Sequence, residues 1–193
     1  DNGLLLASTA HTNTITLNKI TDNKNDGIYI LSNYNTISSN TITSNHYDGG
    51  YISGEDNTFS GNTITNNWDD GIILSGSGHT IADNHIGNND DVGIYMDAST
   101  NSHAVKDNII NKNRDGIYIY SANDNTITGN NINDSNAHGI YISNNAYDNL
   151  IHHNNLYDNY RNAHDLATTQ WHDGNEGNYW EDYGGSDTNK DGI

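Results

Sequence analysis

The sequence predicts an all-β fold, a parallel β-solenoid of about seven coils of 22 to 24 residues, closed at its C-terminal end by an aromatic cap. The first observation is a Gly-Ile-Tyr-Ile-type pattern whose glycine recurs at steps of 22, 22, 22, 23 and 23 residues. The second is that two Asn-x-Ile-type units follow each recurrence, with the period-2 alternation of short strands. The third is a hydrophobic content of only 32%, which a solenoid accepts because each coil buries a narrow row of side chains.

The first strand of each predicted coil opens on a glycine and then alternates apolar, aromatic and apolar residues. Because side chains alternate between the two faces of a strand, the flanking apolar residues point inward and the central one points outward. The outward row is Tyr29, Tyr51, Ile73, Tyr95, Tyr118 and Tyr141. A stripe of phenol rings suits contact with sugar rings, so its five tyrosines are candidate glycan-binding residues. The alternative is that tyrosine is simply a good strand former.

The second and third strands carry one Asn-x-Ile-type unit each, and the third keeps its asparagine in seven coils out of seven. These asparagines are Asn18, Asn40, Asn62, Asn84, Asn108, Asn130 and Asn154. Equivalent residues of successive coils stack at about 4.8 Å. We therefore expect a buried, structural asparagine ladder whose amides hydrogen-bond along the stack. In the second strand the corresponding asparagine is replaced by His79 and His103 in two coils.

The two ends of the repeat differ from its middle. Leu4 to Leu6 form a first rung with an open edge, which predicts either a longer β-helix or end-to-end self-association. Near the other end, Ala163-His164-Asp165-Leu166 fills the strand position, and Leu166 is expected to face inward as Ile142 does. The predicted cap contains Trp171, Tyr179, Trp180 and Tyr183. We therefore divide the chain into a β-helix, residues 1–169, and a cap with its tail, residues 170–193.

Charge and composition restrict the partners. Seven Lys+Arg stand against 25 Asp+Glu, a formal net charge of −18, and such a surface repels the phosphates of nucleic acid. The chain has no cysteine, which excludes disulfides and thiolate metal sites. No apolar run is long enough to span a membrane. We therefore expect neither nucleic acid as a partner nor a membrane span.

The Gly-Ile-Tyr-Ile strand followed by Asn-Thr-Ile and Asn-x-Ile resembles the right-handed parallel β-helix repeat of NosD-like and carbohydrate-binding and sugar-hydrolase (CASH) domains. The segments Gly177-Asn178-Tyr179-Trp180 and Asp187-Thr188-Asn189-Lys190-Asp191-Gly192 are similar to the tail of archaeal cell-surface members. The resemblance implies a right-handed helix and an extracellular or cell-surface location. It implies no single activity, since such helices host lyases, epimerases, hydrolases, adhesins and surface-layer parts.

Two function classes therefore stay open. The first is a non-enzymatic module that binds a polysaccharide or cell-surface glycan, or that assembles into a surface layer or filament. The second is a lyase, epimerase or hydrolase acting on acidic glycans. The outer face shows no well-separated carboxylate pair of the glycosidase type and no lysine among the tyrosines, which favours the module.

A group of basic side chains gives the second class its candidates. The repeat assigns Arg114 and Arg161 to the same corner position, beside a row that includes His138. An acidic polysaccharide needs such cations to hold its carboxylates, and His138 or a tyrosine could act as the base at C5 of a uronate. Arg114, His138 and Arg161 are thus candidate catalytic residues. The alternative is that they are solvated corner charges.

Calcium is the expected cofactor, if the chain has one. Asp187, Asn189 and Asp191, followed by Gly192, match the first half of an oxygen-ligand calcium loop. A row of Asp26, Asp48, Asp70 and Asp115 also stacks carboxylates about 5 Å apart. Such a row raises pKa values or recruits calcium, although Asp-Gly turn chemistry explains it equally simply.

Histidines suggest a transition metal less strongly. His152 and His153 are adjacent, and adjacent residues of a strand point to opposite faces. No row of the repeat contains three histidines. We therefore expect no copper site at this pair.

Overall fold

The computed structural model of the chain describes residues 1–98 and 100–181, which form three parallel sheets of eight short strands each. Sheet A contains β1 (Leu4–Leu6), β4 (Ile28–Ile30), β7 (Gly50–Ile52), β10 (Ile72–Leu74), β13 (Val92–Met96), β16 (Asp115–Ile119), β19 (His138–Ile142) and β22 (Arg161–Asp165). Sheet B contains β2 (Thr14–Thr16), β5 (Thr36–Ser38), β8 (Thr58–Ser60), β11 (Thr80–Ala82), β14 (Ala104–Lys106), β17 (Thr126–Thr128), β20 (Tyr147–His152) and β23 (Thr168–Gln170). Sheet C contains β3 (Lys19–Thr21), β6 (Thr41–Thr43), β9 (Thr63–Thr65), β12 (His85–Gly87), β15 (Ile109–Asn111), β18 (Asn131–Asn133), β21 (Asn155–Tyr157) and β24 (Tyr179–Trp180).

Each coil passes once through every sheet, and strands pair with the equivalent strands of the coils above and below. Ile37 pairs with Phe59 in sheet B, and Ile42 pairs with Ile64 in sheet C. These side chains are fully buried, and the inward residues of all three sheets form one continuous core. This confirms the predicted all-β parallel solenoid and its inward apolar rows. Among the described residues, no helix is long and apolar enough to cross a membrane.

The chain turns at three corners in each coil, and each corner pairs a residue in the left-handed conformation with a ladder residue. Between sheets B and C the left-handed residues are Leu17, Ser39, Gly61, Asp83, Asp107, Gly129 and His153, with φ between 56° and 68°. A non-glycine residue in this conformation costs about 1–2 kcal/mol. The hydrogen bonds of the asparagine that follows offset this cost.

The predicted asparagine ladder lies directly after these left-handed residues. The backbone N–H and Nδ2 of Asn62 both donate to Oδ1 of Asn84, at 2.9 and 3.0 Å. Nδ2 of Asn62 also donates to the backbone carbonyl of Ile37. The same pattern continues from Asn18 to Asn178, each amide donating toward the C-terminal end. The ladder thus satisfies the polar backbone groups that each corner exposes.

In the ladder that precedes the strands of sheet B, two histidines take over the hydrogen-bond acceptor role of the asparagine side chain. The backbone N–H of Asn57 donates to Nδ1 of His79, and that of His79 donates to Nδ1 of His103, each at 3.1 Å. Burial lowers the pKa of His103 to about 3 and also lowers the pKa of His79. Both rings therefore stay neutral, and Nδ1 accepts a hydrogen bond as the asparagine oxygen does elsewhere.

The glycine that precedes the strands of sheet A is required by close packing. A Cβ on Gly71 would lie 2.5 Å from the backbone carbonyl oxygen of Gly93 and 2.6 Å from a methyl group of Ile86. Successive coils thus approach each other more closely here than any side chain allows. This explains why the glycine recurs in the sequence.

The last coil shows that one predicted alignment was wrong. Ile140 pairs with Ala163, and Ile142 pairs with Asp165. Each position of β22 is therefore filled by the residue one earlier in the chain than predicted. Leu166, predicted to face inward, is 49% exposed. The glycine position of this coil is occupied by Asn162, whose carbonyl oxygen lies beneath Gly139. The small Ala163 had suggested the wrong register.

The C-terminal end of the described chain carries three of the four predicted cap residues, Trp171, Tyr179 and Trp180, of which Tyr179 is exposed. The rings of Trp171 and Trp180 lie 5.2 Å apart, and both pack against the core. Trp180 belongs to β24, so it also extends sheet C. Tyr183 lies outside the described residues, and the division of the chain at residue 169 stays a prediction.

Candidate functional site

The outward row of sheet A is continuous along the molecule. It runs Leu5, Tyr29, Tyr51, Ile73, Tyr95, Tyr118, Tyr141 and His164, each paired with the next. The structure thus brings the five predicted tyrosines into one row and adds His164, which the sequence alignment had not placed there. The tyrosines are half-buried and keep one side toward solvent.

The rings are oriented differently in the two halves of this row. Tyr29 and Tyr51 are stacked, with centroids 4.7 Å apart and planes within 10°, so each covers one face of the other. Tyr118 instead meets Tyr95 and Tyr141 edge to face, at 5.3 and 4.7 Å. The half from Tyr95 to His164 therefore keeps ring faces available for contact with a sugar.

The phenols of Tyr95 and Tyr118 stay protonated at neutral pH. Burial raises the pKa of Tyr95 to about 12, with a smaller contribution from the nearby carboxylate of Asp97. Burial also raises the pKa of Tyr118. Both hydroxyls are therefore hydrogen-bond donors as well as acceptors.

A buried aspartate organises the adjoining corner. Asp115 accepts a hydrogen bond at Oδ2 from Nε of Arg114, at 2.9 Å. Its Oδ1 accepts from the backbone N–H of His138 at 3.0 Å and lies 2.7 Å from Nδ1 of the same residue. Because a carboxylate can only accept, Nδ1 of His138 carries the proton. In the neutral tautomer that this hydrogen bond selects, Nε2 carries the lone pair.

The two arginines have different surroundings, which corrects the predicted corner. Arg114 is held by Asp115 and, through Nη1, by Asp91 at 2.6 Å. Arg161 was assigned to the same position as Arg114, but it pairs with His138 in the next row. The error has the same one-residue cause as the misplacement of Leu166. Arg161 is exposed.

The corrected register brings several candidate residues together. The ring of His138 lies 5.1 Å from that of Tyr141 and 5.3 Å from that of His164. Tyr141 and His164 meet edge to face at 5.1 Å. Arg161 lies beside His138 on the neighbouring strand. This outer group, which we call the basic cluster, combines an aspartate-held imidazole, a phenol, a second imidazole and a guanidinium.

The predicted row of aspartates lies in the wall of the helix. Oδ1 of Asp48 accepts the backbone N–H of Asp70 at 3.0 Å, and Oδ1 of Asp70 accepts that of Val92 at 2.8 Å. Burial raises the pKa of Asp48 to about 8 and that of Asp70 to about 7. Ligand atoms of Asp48, Asp69 and Asp70 lie within 4.8 Å of one another. Calcium at this row stays a prediction.

The tail residues of the predicted calcium loop, Asp187, Asn189 and Asp191, lie outside the described residues. The side chains of His152 and His153 do not point apart as predicted, because their Nδ1 atoms lie 2.5 Å apart. The sequence contained the relevant signal. His153 falls at the corner position that glycine or aspartate occupies in four other coils.

Three parallel sheets around one apolar core, tied at their corners by side-chain ladders, define a parallel β-helix protein. Residues 2–156 match the family described as "Right handed beta helix region", and the chain belongs to that family. This confirms the right-handed helix. A search of curated proteins found no match to the chain.

Several solved structures share the fold. A double mutant of the periplasmic alginate epimerase AlgG has a TM-score of 0.78 at 17% identity, over 87% of this chain and 47% of that one. The A-module of the Azotobacter vinelandii mannuronan C-5 epimerase AlgE6 has a TM-score of 0.65 at 16% identity, over 82% and 58%. Pectate lyase Pel9A has a TM-score of 0.59 at 14% identity, over 83% and 54%. The chain thus spans about half the length of these proteins, and at these identities the similarity shows the fold.

Proposed function

We propose that this β-helix binds an acidic polysaccharide outside the cell, along the part of sheet A from Tyr95 to His164. The observation that carries the proposal is the basic cluster, where exposed Arg161 and the imidazoles of His138 and His164 adjoin a row of tyrosines on one open face. The proteins that share the fold support it, since they are named for alginate, mannuronan and pectate, all polymers of uronic acids. The resemblance to NosD-like, CASH and archaeal cell-surface proteins supports the extracellular location.

The charges of the cluster give each arginine its own role in this proposal. Arg161 is exposed and can hold a sugar carboxylate through two parallel hydrogen bonds. Arg114 already binds Asp91 and Asp115, so it fixes the carboxylate that orients His138. The net charge of −18 repels a polyanion elsewhere on the surface. Binding is therefore local and weakens with added salt.

Binding to polymannuronate and polygalacturonate tests the proposal. We expect Arg161→Gln to weaken retention at least tenfold and to reduce its salt dependence, and Tyr118→Ala and Tyr141→Ala to weaken it while the fold is kept. Tyr147→Ala, an exposed tyrosine on sheet B, is the control and should bind as the unmodified chain does. Retention unchanged in all three sheet A variants would place any glycan site elsewhere.

A second function is favoured by the pairing of Asp115 with His138. In the neutral tautomer set by Asp115, Nε2 of His138 can accept the proton from C5 of a uronate, and Arg161 beside it can stabilise the uronate carboxylate. Return of a proton to the opposite face of the sugar gives epimerisation, and loss of the neighbouring O4 substituent gives an unsaturated product. Tyr141, whose ring lies 5.1 Å from that of His138, is the proposed donor of the proton that returns to C5 in epimerisation.

Incubation of the chain with these polymers in D₂O separates binding from catalysis. Deuterium at C5, or an unsaturated uronate, would establish the enzyme. His138→Gln should abolish either product and leave polymer retention within a fewfold of the starting value. Retention without deuterium or unsaturated ends would identify a binding module that is not an enzyme.

End-to-end self-association, with a surface-layer or filament role, stays part of the proposal. Among the described strands β1 pairs only with β4, so one edge of sheet A carries open backbone groups. Sedimentation at several protein concentrations, with calcium and with chelator, tests it. A calcium-independent monomer at every concentration would contradict it.

A further inference from the structure

We propose that His152, His153 and Asp173 form a binding site for a divalent transition metal of the zinc and copper type. One ligand atom of each residue lies within 4.8 Å of the ligand atoms of the other two. The site lies at the corner between sheets B and C, where the seventh and eighth coils meet, away from the basic cluster on sheet A.

The corner conformation makes the two histidines converge. His152 is the last residue of β20, and His153 follows it with φ of 57°. In a continuing strand the two side chains would point to opposite faces. The left-handed turn instead returns the second ring to the side of the first, with ring centroids 4.7 Å apart and the Nδ1 atoms 2.5 Å apart.

The hydrogen bond between His153 and Glu176 favours a cation between the rings. Nε2 of His153 lies 2.7 Å from Oε2 of Glu176, so a carboxylate holds the proton on Nε2 and leaves Nδ1 with a lone pair. Two nitrogens bound to zinc at about 2.0–2.1 Å in a tetrahedral arrangement lie about 3.3 Å apart. A ring displacement of under about 1 Å, together with release of the proton that Nδ1 of His152 donates in this contact, therefore converts it into a chelate.

Asp173 supplies an oxygen ligand from a different segment. Its Oδ1 accepts the backbone N–H groups of Asn175 and Glu176, each at 2.8 Å, which fixes the carboxylate and leaves Oδ2 for a metal. Two imidazoles and one carboxylate suit zinc or copper better than calcium, which prefers oxygen ligands. Three protein ligands leave a fourth position for water or another ligand.

The ligands come from two successive coils, which gives the metal a structural consequence. His152 and His153 end β20, whereas Asp173 and Glu176 belong to the segment between β23 and β24. Close to the site, the backbone N–H of His153 donates to the carbonyl of Gly177, which joins these two parts. A bound metal would fasten the segment beneath the tryptophan cap to the coil above it.

The preceding coil provides variants that remove the ligands without disturbing the turn. Thr128 pairs with His152, and Gly129 holds the same left-handed corner as His153, with φ of 68°. His152→Thr and His153→Gly therefore reproduce a local sequence that this fold already accepts. Glu176→Gln tests the orienting carboxylate, and His85→Ala removes an exposed histidine on sheet C as the control.

Calorimetric titration of the untagged chain with Zn²⁺ decides the proposal. We expect one Zn²⁺ per chain, a melting temperature that rises with Zn²⁺, and tetrahedral-type visible absorption with Co²⁺. His153→Gly and Asp173→Asn should weaken binding at least tenfold, Glu176→Gln about tenfold, and His85→Ala not at all. Absence of stoichiometric binding, or binding unchanged in a folded His152→Thr/His153→Gly double variant, would overturn it.

Discussion

Asn108 shows what a single ladder residue does. Its Oδ1 accepts from both the backbone N–H and Nδ2 of Asn84, and its own Nδ2 lies 2.9 Å from Oδ1 of Asn130. Nδ2 also reaches the backbone carbonyls of Ile81 and Lys106. One buried amide therefore serves the corners of three coils.

Asn108→Ala should lower the free energy of unfolding by about 1–3 kcal/mol, because it leaves buried donors and acceptors without partners. Asn84→Ala should behave alike. Asn136→Ala, an exposed asparagine outside the ladder, is the control and should change stability by less than about 0.5 kcal/mol. Urea unfolding measures all three, and equal stability of ladder and control variants would contradict the structural role.

Asp48 and Asp70 give the stability of the protein a pH dependence. Their folded pKa values, about 8 and about 7, lie above the ordinary value near 4, so the folded chain binds more protons than the unfolded chain between these limits. Their contribution to stability is complete below pH about 4 and is lost as the pH rises through 7 and 8. Buried His79 and His103, with lowered pKa values, act oppositely below pH about 6.5.

We therefore expect the melting temperature to rise from pH 8.5 toward pH 6.5 and to gain less, or to fall, under more acidic conditions. Asp48→Asn keeps an oxygen that accepts the N–H of Asp70, so it should raise the melting temperature at pH 8.5 and flatten the alkaline slope. Asp90→Asn removes an exposed charge and controls for the general repulsion of an acidic chain. If both variants showed the same slope, net charge rather than the buried row would explain it.

At the scale of the element, the corner is the repeated unit. Between sheets B and C, the left-handed position of the corner is occupied by glycine, aspartate or serine, and in single coils by leucine or histidine. Exposed Leu17 adopts φ of 60°, and a Cβ on Gly61, with φ of 63°, would meet only Oγ of Ser39 at 3.8 Å, an ordinary contact. Backbone conformation alone therefore sets the preference at these two corners.

Leu17→Asn should stabilise the chain by up to about 1 kcal/mol, since asparagine adopts the left-handed conformation at lower cost. Gly61→Ala should destabilise it by about 1 kcal/mol, because steric clashes do not contribute there. Thermal unfolding of both variants measures the difference. The same sign of change in both would show that packing, and not conformation, controls the corner.

The sequence predicted the strands because the glycine and asparagine positions mark every coil separately. A misplaced strand in one coil therefore does not displace the strands predicted in the next. It did not predict the left-handed corners, since Leu17 and His153 between sheets B and C, and Lys112 between sheets C and A, conceal the pattern that glycine and aspartate suggest. It misplaced Arg161 by one residue, because the last coil has lost the glycine that marks the register. The orientation of the tyrosine rings and the convergence of His152 with His153 depend on torsion angles that spacing does not fix.

At the scale of the whole molecule, each coil is held by its neighbours alone, so complete coils should be removable. Excision of residues 40–61 joins Ser39 to Asn62 and takes out one period of 22 residues, leaving every ladder in phase. We expect a folded chain with a lower melting temperature. Excision of residues 40–50 places unlike strands beside each other and is the control, which should not fold. Failure of the full-period variant to fold would show longer-range dependence between coils.

The ladders have one direction, since their amides donate toward the C-terminal end. The hydrogen bonds between the paired strands of successive coils run along the same axis. Tension applied between the two ends of the chain therefore loads one junction between coils at a time instead of the whole core. Each rupture frees one turn of 22 residues, or about 75 Å of extended chain. Under force the protein should lengthen in a series of nearly equal steps, one for each coil that unfolds.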